Sequence, residues 1–306
     1  SYFMQRGYVD FYGYIPNDEK DDREDFSFSN DAIREMERAA AAGAEELFVA
    51  VPPAQIGQLH HLMEEADKQC MRIKFVPDIA GSLSAPYHMN YLGAEFPVIA
   101  LRPEPLESAA ARFKKRAFDI VFSTLVIVFL FSWLYPIIAL LIKLESRGPV
   151  LFKQQRSGRN DQAFWCYKFR SMRVNNDSDR RQASKNDDRI TKTGRFLRKT
   201  SLDELPQFFN VLFGNMSVVG PRPHMLKHTE EYRRIIDKFM VRHFSKPGIT
   251  GWAQVNGYRG ETKDPHQMET RVEHDIWYLE NWTGMLDVKI IFMTVINVFK
   301  GEENAF

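Results

Sequence analysis

The sequence predicts an α/β protein in three parts: a parallel-sheet module over residues 1–105, a helical membrane segment over 106–145 and a mixed, mainly helical domain over 146–306. Three observations lead to this prediction. Apolar runs of strand and helix length alternate through the first part. An uncharged stretch of 23 residues, Ile120 to Ile142, follows it. Beyond this stretch, amphipathic segments alternate with turns rich in glycine and proline, which predicts interfacial helices around a compact domain.

The first part predicts a small parallel sheet with covering helices, because strand and helix patterns alternate along it. Ser29 or Asn30 can cap a helix that runs through Ala42 and ends at Gly43. No GxGxxG motif follows the first predicted strand, so a dinucleotide site has no support and we expect a regulatory or structural module. The predicted strands are Tyr8–Ile15, Leu47–Val51, Arg72–Val76 and Phe96–Leu101.

The uncharged stretch is long enough to cross a bilayer, since about 20 apolar residues suffice. Pro136 removes one helical hydrogen bond and disfavours helical angles at Tyr135, and Ser132 is one donor that could satisfy the freed backbone groups. Positive charge normally stays on the cytoplasmic side. We therefore expect a re-entrant helix that bends near Pro136 and returns to the same face, with a single kinked span as the alternative. The basic residues that flank the stretch on both sides are Arg112, Lys114, Lys115 and Arg116 before it and Lys143, Arg147, Lys153, Arg156 and Arg159 after it.

Composition restricts the class of partner. The 41 Lys and Arg residues nearly balance the 40 Asp and Glu residues, giving a net charge of +1, so we expect no nucleic-acid partner. Basic residues concentrate between Arg112 and Arg198, around the apolar stretch, where they would attract lipid headgroups or phosphates. The two cysteines, Cys70 and Cys166, form no CxxC pair, which is typical of a reducing cytosol.

Two adjacent carboxylates, Asp203 and Glu204, form the main candidate site. One interpretation is structural: Ser201 and Glu204 have the spacing of a capping box at a helix start. The other is a metal–diphosphate site, in which the carboxylates hold Mg²⁺ and nearby arginines bind phosphate oxygens. The candidate phosphate-binding residues are Arg198, Arg222, Lys168 and Arg170.

A second candidate is the segment from Lys246 to Gly257, where three glycines and a proline predict an ordered binding loop rather than core. Backbone amides exposed by glycine can approach a phosphate or a nucleobase closely. Further on, the apolar segment Met285–Phe299 predicts either a core helix or a helix on the membrane surface. The candidate nucleotide- or sugar-binding residues of the loop are Gly248, Thr250, Gly251, Gln254 and Asn256.

Five segments together resemble the bacterial sugar transferases, the monotopic polyprenyl-phosphate hexose-1-phosphate transferases, over about residues 112–306. The resemblance implies transfer of a sugar 1-phosphate from a UDP-sugar to undecaprenyl phosphate with Mg²⁺, giving undecaprenyl-diphosphate-sugar and UMP at the cytoplasmic face of the bacterial inner membrane. It assigns Asp203 as the nucleophile and Glu204 as a Mg²⁺ ligand. It also implies a helix broken at a Ser-Pro pair, where Tyr135 here replaces the serine. The segments are KRAFDIVFS, GPVLFKQQRSG, YKFRSM, RKTSLDELPQFFNVLFGNMSVVGPRP and KPGITGWAQVNG.

The resemblance extends to the first part, which is similar to the Rossmann-like module of the large family members. Those members also carry an N-terminal transmembrane bundle, and the start at Ser1 leads us to expect a longer protein. The segment Gly257–Thr262 resembles the glucose-transferring subgroup that starts exopolysaccharide synthesis, as of colanic acid, with Arg259 and Glu261 as candidate sugar-binding residues. A galactose-1-phosphate transferase and an inactive membrane-anchored binding protein stay open as alternatives, and so does a homodimer.

Overall fold

The computed structural model describes residues 12–13, 15, 30–51, 59–77, 88–92, 96–100, 102–174, 187–260 and 264–300. The chain divides into two compact units, Ser1–Pro103 and Glu104–Phe306. The architecture of the described residues is mixed α/β, with a sheet and two helices in the first unit and mostly helices in the second.

The first unit contains a four-stranded sheet of order β1-β2-β4-β3, in which β1 and β2 are parallel while β4 is antiparallel to both of its neighbours. The prediction of a parallel sheet is therefore wrong for two of its three strand pairings. Only three residues connect β3 to β4, too few for the crossover that a parallel pair needs. Five of the eight residues of the predicted strand Tyr8–Ile15 lie outside the described residues. The elements are α1 (Asn30–Ala41), β1 (Glu46–Val51), α2 (His60–Lys68), β2 (Arg72–Pro77), β3 (His88–Leu92) and β4 (Phe96–Ala100).

The core of this unit forms where the apolar faces of the two helices meet those of β1 and β2. Phe75 and Ala66 are fully buried, and Met36 is nearly so. Removing this apolar surface from water is the main term that stabilises so small a module. The buried core residues are Met36, Val49, Leu59, Leu62, Ala66, Met71, Ile73 and Phe75.

The second unit begins with one long apolar helix: α3 (Ala109–Val126), a π-helical turn (Ile127–Phe131) and α4 (Ser132–Glu145) follow one another without a gap. Among the described residues this is the one helix long and apolar enough to cross a membrane, judged by length and composition alone. In the π turn the Ser132 amide donates to Ile127, so the Val128 carbonyl loses its usual partner. The Ser132 hydroxyl donates to that carbonyl instead, at 2.6 Å.

Pro136 lies inside α4, and the helix does not end at Tyr135. The departure from α geometry lies in the preceding π turn, Ile127–Phe131. The expected loss of helical angles at Tyr135 is therefore wrong. The re-entrant path stays a prediction.

The remaining strands of this unit form two small sheets. β5 and β6 form an antiparallel hairpin, and β7 pairs in parallel with β8. Helix α9 begins where Asp264 accepts the His266 amide and Pro265 occupies the first turn, a strong start signal. The elements are β5 (Leu151–Ser157), β6 (Ala163–Phe169), α5 (Lys192–Lys199), α6 (Gln207–Phe213), β7 (Ser217–Val219), α7 (Leu226–Tyr232), β8 (Gly248–Thr250), α8 (Trp252–Val255), α9 (Pro265–Glu280) and α10 (Gly284–Lys300).

The apolar helix buries one side against the rest of the unit. Phe131, Ile138 and Ile142 pack in a cluster with Phe169, Leu197 and Leu205, and Leu205 directly follows the candidate carboxylates. The opposite side is exposed and apolar: Phe129 is 71% and Leu140 60% exposed. The helix therefore packs beside the candidate site, and its opposite apolar face is left uncovered by the described residues.

Helix α10 answers the question left open for Met285–Phe299. Ile290 is fully buried in the core, whereas an exposed stripe at helical spacing is formed by Met285, Val288, Phe292 and Val295. The helix is thus both a core helix and the carrier of an exposed apolar face.

Candidate active site

The two carboxylates lie in a short 3-10 turn, Leu202–Glu204, just after α5. Ser201 adopts a left-handed conformation, with φ of 59°, and this reverses the chain between α5 and the turn. For a residue other than glycine this conformation costs about 1 kcal/mol. The Ser201 hydroxyl accepts a hydrogen bond from Arg259 Nη2 at 2.7 Å, which helps to hold the turn. Asp203 and Glu204 are both buried.

The capping-box interpretation is wrong. The Ser201 side chain makes no capping hydrogen bond, and the Glu204 amide bonds to the Ser201 backbone carbonyl instead. The Glu204 carboxylate does not turn back toward Ser201 but accepts from Lys168 and Arg222. The two carboxylates therefore need an explanation other than helix capping.

Glu204 is held by two cations. Lys168 Nζ and Arg222 Nη2 both lie 2.7 Å from its Oε1, and Arg222 Nη1 lies 3.3 Å from its Oε2. Burial alone would raise the pKa of this carboxyl, but Arg222, then Lys168 and Arg259, outweigh burial and hold the pKa well below its ordinary value. Glu204 is therefore ionised at neutral pH.

Asp203 differs from its neighbour, because no described side chain forms a hydrogen bond with its carboxylate. Burial raises the pKa of Asp203, since a carboxylate loses its hydration in the interior. The charge of Lys168 opposes this rise and that of Glu204 adds to it, while Arg198 and Arg222 also lower the pKa. The result is a carboxylate with free lone pairs in a cationic environment, the arrangement that a nucleophile toward a phosphate requires.

Arg222 reaches the site from the turn after β7, in the sequence Gly220-Pro221-Arg222-Pro223. Its backbone carbonyl accepts from Arg242 Nη2 at 2.8 Å. The same nitrogen lies 2.7 Å from Asp275 Oδ2, an ion pair between two buried side chains. A buried pair of this kind fixes the backbone from which Arg222 extends.

The glycines near this turn allow close backbone packing. A Cβ atom on Gly248 would lie 2.1 Å from the Gly220 amide nitrogen, and one on Gly251 would lie 2.2 Å from the Gly220 carbonyl oxygen. Both contacts are far shorter than any real Cβ approach, so the parallel pairing of β7 and β8 depends on these glycines.

The predicted binding loop is largely part of the core, and the expectation that it lies outside the core is wrong. Its polar side chains bond within the unit: Thr250 Oγ1 lies 2.7 Å from Thr294 Oγ1, Gln254 Nε2 donates to Ile249, and Asn256 Nδ2 donates to Trp252. The role of the loop in binding a nucleotide or a sugar stays a prediction.

The other predicted phosphate ligands behave differently from one another. Arg170 donates to the carbonyls of Arg147 and Ser146, just beyond α4, at 2.7 and 2.8 Å, which favours a structural role. Arg198 lies in the last turn of α5, and its positive charge opposes the rise that burial causes in the pKa of Asp203. Arg259 belongs to the site through Ser201, while Glu261 lies outside the described residues.

Sequence reasoning missed two features of the site. The ion pair between Lys168 and Glu204 was not anticipated, and the role of Lys168 in binding phosphate stays a prediction. Arg242 and Asp275 were not anticipated at all, because they come from separate elements, and only their unusual burial reveals them. No local pattern in the sequence signals either contact.

The donor set fits a Mg²⁺ ion that arrives with phosphates, and it forms no complete metal site. Within the described ranges, no cluster of three or more His, Cys, Asp or Glu side chains could hold a metal. Glu204 Oε2 accepts only the long contact from Arg222, and Asp203 has free oxygens beside it. Because Mg²⁺ is usually held by one or two carboxylates plus substrate phosphates, these two residues are sufficient donors.

The fold and the site together place two buried carboxylates among several cations beside an apolar helix. Residues 110–301 match the family described as bacterial sugar transferases, which is more than half of the chain, and the chain belongs to this family. The resemblance inferred from the five sequence segments is thus confirmed.

Curated relatives agree with this assignment. A UDP-glucose:undecaprenyl-phosphate glucose-1-phosphate transferase of Escherichia coli is 44% identical over 88% of this chain and 57% of its own length. A protein of the same name from Klebsiella pneumoniae is 53% identical over 67% of this chain and 43% of its own. An undecaprenyl-phosphate galactose phosphotransferase of Salmonella typhimurium is 35% identical over 78% and 52%. The chain thus spans about half the length of these relatives.

Proposed function

We propose that the protein transfers glucose 1-phosphate from UDP-glucose to undecaprenyl phosphate, releasing UMP, as the first membrane step of exopolysaccharide synthesis. The observation that carries this proposal is the contrast between the two adjacent carboxylates. Glu204 is ion-paired to Lys168 and Arg222, whereas Asp203 has no hydrogen-bond partner among the described residues and lies among the same cations.

Asp203 is the proposed nucleophile. One of its carboxylate oxygens attacks the β-phosphorus of the UDP-sugar and forms a new P–O bond. The bond between that phosphorus and the bridging oxygen breaks, and UMP leaves with the electron pair. A phosphate oxygen of undecaprenyl phosphate then attacks the same phosphorus, which frees Asp203 and yields the undecaprenyl-diphosphate-sugar. Splitting the transfer into two steps avoids bringing two polyanions together at once.

The cations around the pair supply the electrostatic part of catalysis. Arg222 and Lys168 keep Glu204 ionised, and with Arg198 they offset the charge of the incoming diphosphate. Mg²⁺, held by Glu204 and Asp203 with phosphate oxygens, would neutralise further charge on these groups.

The site lies beside an apolar helix because one substrate is a lipid. Leu205, the residue after Glu204, belongs to the same core cluster as Phe131, Ile138 and Ile142 of this helix, so the carboxylates lie beside it. We propose that the exposed apolar face of the helix contacts the cytoplasmic leaflet of the bacterial inner membrane, where a re-entrant path would keep both of its ends on one side.

Glucose is the proposed sugar because two relatives at 44% and 53% identity carry glucose in their names, against 35% for the galactose relative. Galactose stays the second candidate. Arg259 is a less direct determinant of the sugar than expected, since its guanidinium already donates to Ser201. Glucose and galactose differ in the orientation of one hydroxyl, so discrimination requires a hydrogen bond to that group.

For the N-terminal unit we propose a regulatory or structural role within a Rossmann-like module. The β1-α2-β2 crossover with its parallel pair supports this reading, while the antiparallel β4 departs from it.

The test is UMP release by the purified protein with Mg²⁺, undecaprenyl phosphate and either UDP-glucose or UDP-galactose. We expect UDP-glucose to react at least about tenfold faster. Without the lipid, UMP release should stop after one equivalent, with radioactive sugar phosphate bound to the protein. Equal rates with the two sugars would refute glucose, and no release with any UDP-sugar would refute the transferase.

A further inference from the structure

The apolar helix carries a buried polar stripe before its uncharged stretch begins. Lys115, Asp119 and Ser123 are spaced four residues apart, so they lie on one face of α3, and all three are buried. Burying charged groups costs free energy unless they are paired and hydrogen-bonded. The partners of Lys115 and Asp119 therefore show which part of the unit this face of the helix positions.

Asp119 binds the free edge of β7. Its Oδ1 accepts from the Ser217 hydroxyl and from the Val218 amide, both at 3.0 Å. The amides of Ser217 and Gly220 point the other way and donate to Pro247 and Thr250, on the β8 side. Asp119 thus satisfies the backbone edge that a third strand would otherwise cover.

Lys115 is linked to Val219, the next residue of this edge, through the Tyr278 hydroxyl and the Asp287 carboxylate. Its Nζ lies 2.7 Å from Asp287 Oδ2 and 3.1 Å from the Tyr278 hydroxyl. That hydroxyl lies 3.2 Å from the Val219 carbonyl oxygen and 2.7 Å from Asp287 Oδ1, so both acceptors are within reach of its one proton. Two successive turns of one helix therefore fix Val218 and Val219.

Arg222 follows this fixed edge after Gly220 and Pro221 only. A proline has one allowed range of φ, so a short link of this kind transmits the position of β7 to Arg222. Arg222 in turn places both of its terminal nitrogens on Glu204. The path from Asp119 to the site therefore passes through a single edge strand.

We propose that Asp119 is a positioning residue, which sets Arg222 of the active site through β7. The proposal rests on the function proposed above, in which Arg222 binds the diphosphate of the donor. The apolar helix would then have a role besides membrane attachment, because it fixes the position of Arg222.

The test is a double-mutant cycle between Asp119→Ala and Arg222→Ala, read as KM for the UDP-sugar. Asp119→Ala should raise this KM about tenfold and leave the KM for undecaprenyl phosphate within about twofold. Asp119→Asn keeps the accepting oxygen and should restore KM to within about threefold of the parent. In the Arg222→Ala background, Asp119→Ala should add less than about twofold, because its effect passes through Arg222. Additive effects would overturn the proposal.

Controls separate positioning from general destabilisation. Ile290→Val trims a fully buried core side chain and should lower stability without changing the KM for the UDP-sugar. If Asp119→Ala does not fold, Ser217→Ala removes one of the two bonds to Asp119 and should raise the same KM by a smaller factor. An unchanged KM in a folded Ser217→Ala variant would also overturn the proposal.

Failure of the proposed function would be seen separately, as a parent protein that releases no UMP. Hydrogen exchange of peptides covering residues 217–222 then decides the inference. Faster exchange there in Asp119→Ala than in Asp119→Asn, with other peptides unchanged, supports the positioning of β7. Equal exchange in both variants refutes it.

Discussion

Replacing each of the two neighbouring carboxylates by its amide should change the free energy of unfolding in opposite directions. Asp203→Asn removes a buried charge that has no hydrogen-bond partner among the described residues. Because the folded pKa of Asp203 is raised, ionisation destabilises the fold as pH rises above the unfolded value of 3.8. The amide variant should therefore be as stable as the parent or more stable at pH 7, and the difference should shrink toward pH 4.

Glu204→Gln should destabilise instead. Its folded pKa is lowered, so its contribution is present above the unfolded value of 4.5 and is lost as pH falls through the folded pKa. Removing one partner of a fully buried ion pair costs about 3–5 kcal/mol. The Lys168 and Arg222 side chains are 21% and 25% exposed, and water would relieve part of this cost. We expect a loss of about 1–3 kcal/mol.

Activity separates the two roles further. Loss of the nucleophile in Asp203→Asn should reduce UMP release at least about 1,000-fold, or about 4 kcal/mol of transition-state stabilisation. The assays are UMP release and denaturant unfolding at pH 7 and pH 4. Asp161→Asn is the matched control, because burial also raises the pKa of Asp161, outside the site, and its activity should stay unchanged. A folded Asp203→Asn variant within tenfold of the parent would refute the nucleophile.

Two further predictions concern topology and pH. Cysteines placed at the exposed Lys114 and Lys153 should label from the same side of intact cells. Pro136→Ala should shift labelling toward opposite sides. Labelling from opposite sides in the protein with Pro136 intact would establish a span. Burial lowers the pKa of His243 to about 3, so this residue should contribute a fall of about 1.4 kcal/mol per pH unit to the free energy of unfolding below pH 6.5, and His243→Gln should remove that part of the slope in denaturant titrations.

The sequence predicts the candidate site well where its chemistry is local. Asp203 and Glu204 are adjacent, and Arg222 is marked by the prolines on both sides of it. Residues that are adjacent in the sequence stay adjacent in any fold, so the chemistry that they offer together can be predicted without the tertiary structure. The strands β1, β2 and β4 were also predicted within one residue at each end, because apolar runs bounded by turn residues are a local signal.

Tertiary partners could not be predicted. Lys115 and Arg116 count as positive flanks in the sequence, yet Lys115 is buried against Asp287, and Arg116 donates to the carbonyls of Val211 and Leu212 at the end of α6. Gly248 and Gly251 of the predicted binding loop serve the pairing of β7 with β8. In each case the partner is distant in sequence, and a residue type alone does not show whether its partner is a ligand, a lipid or the chain itself.

The contacts at the two ends of the apolar helix are the basis for predicting that it does not span the membrane straight. Near its start, Asp119 holds β7, which leads to Arg222. At its end, the Glu145 carboxylate accepts the amides of Lys192 and Thr193, the first residues of the helix that leads to the carboxylate turn. These attachment points are about 26 residues apart, or about 39 Å along a helix, which exceeds the roughly 30 Å of a bilayer core. A perpendicular span would place them on opposite sides of the membrane, yet Arg222 and Glu204 meet at 2.7 Å. A helix that stays on one side of the membrane would satisfy both attachments, and the re-entrant path therefore predicts same-side labelling.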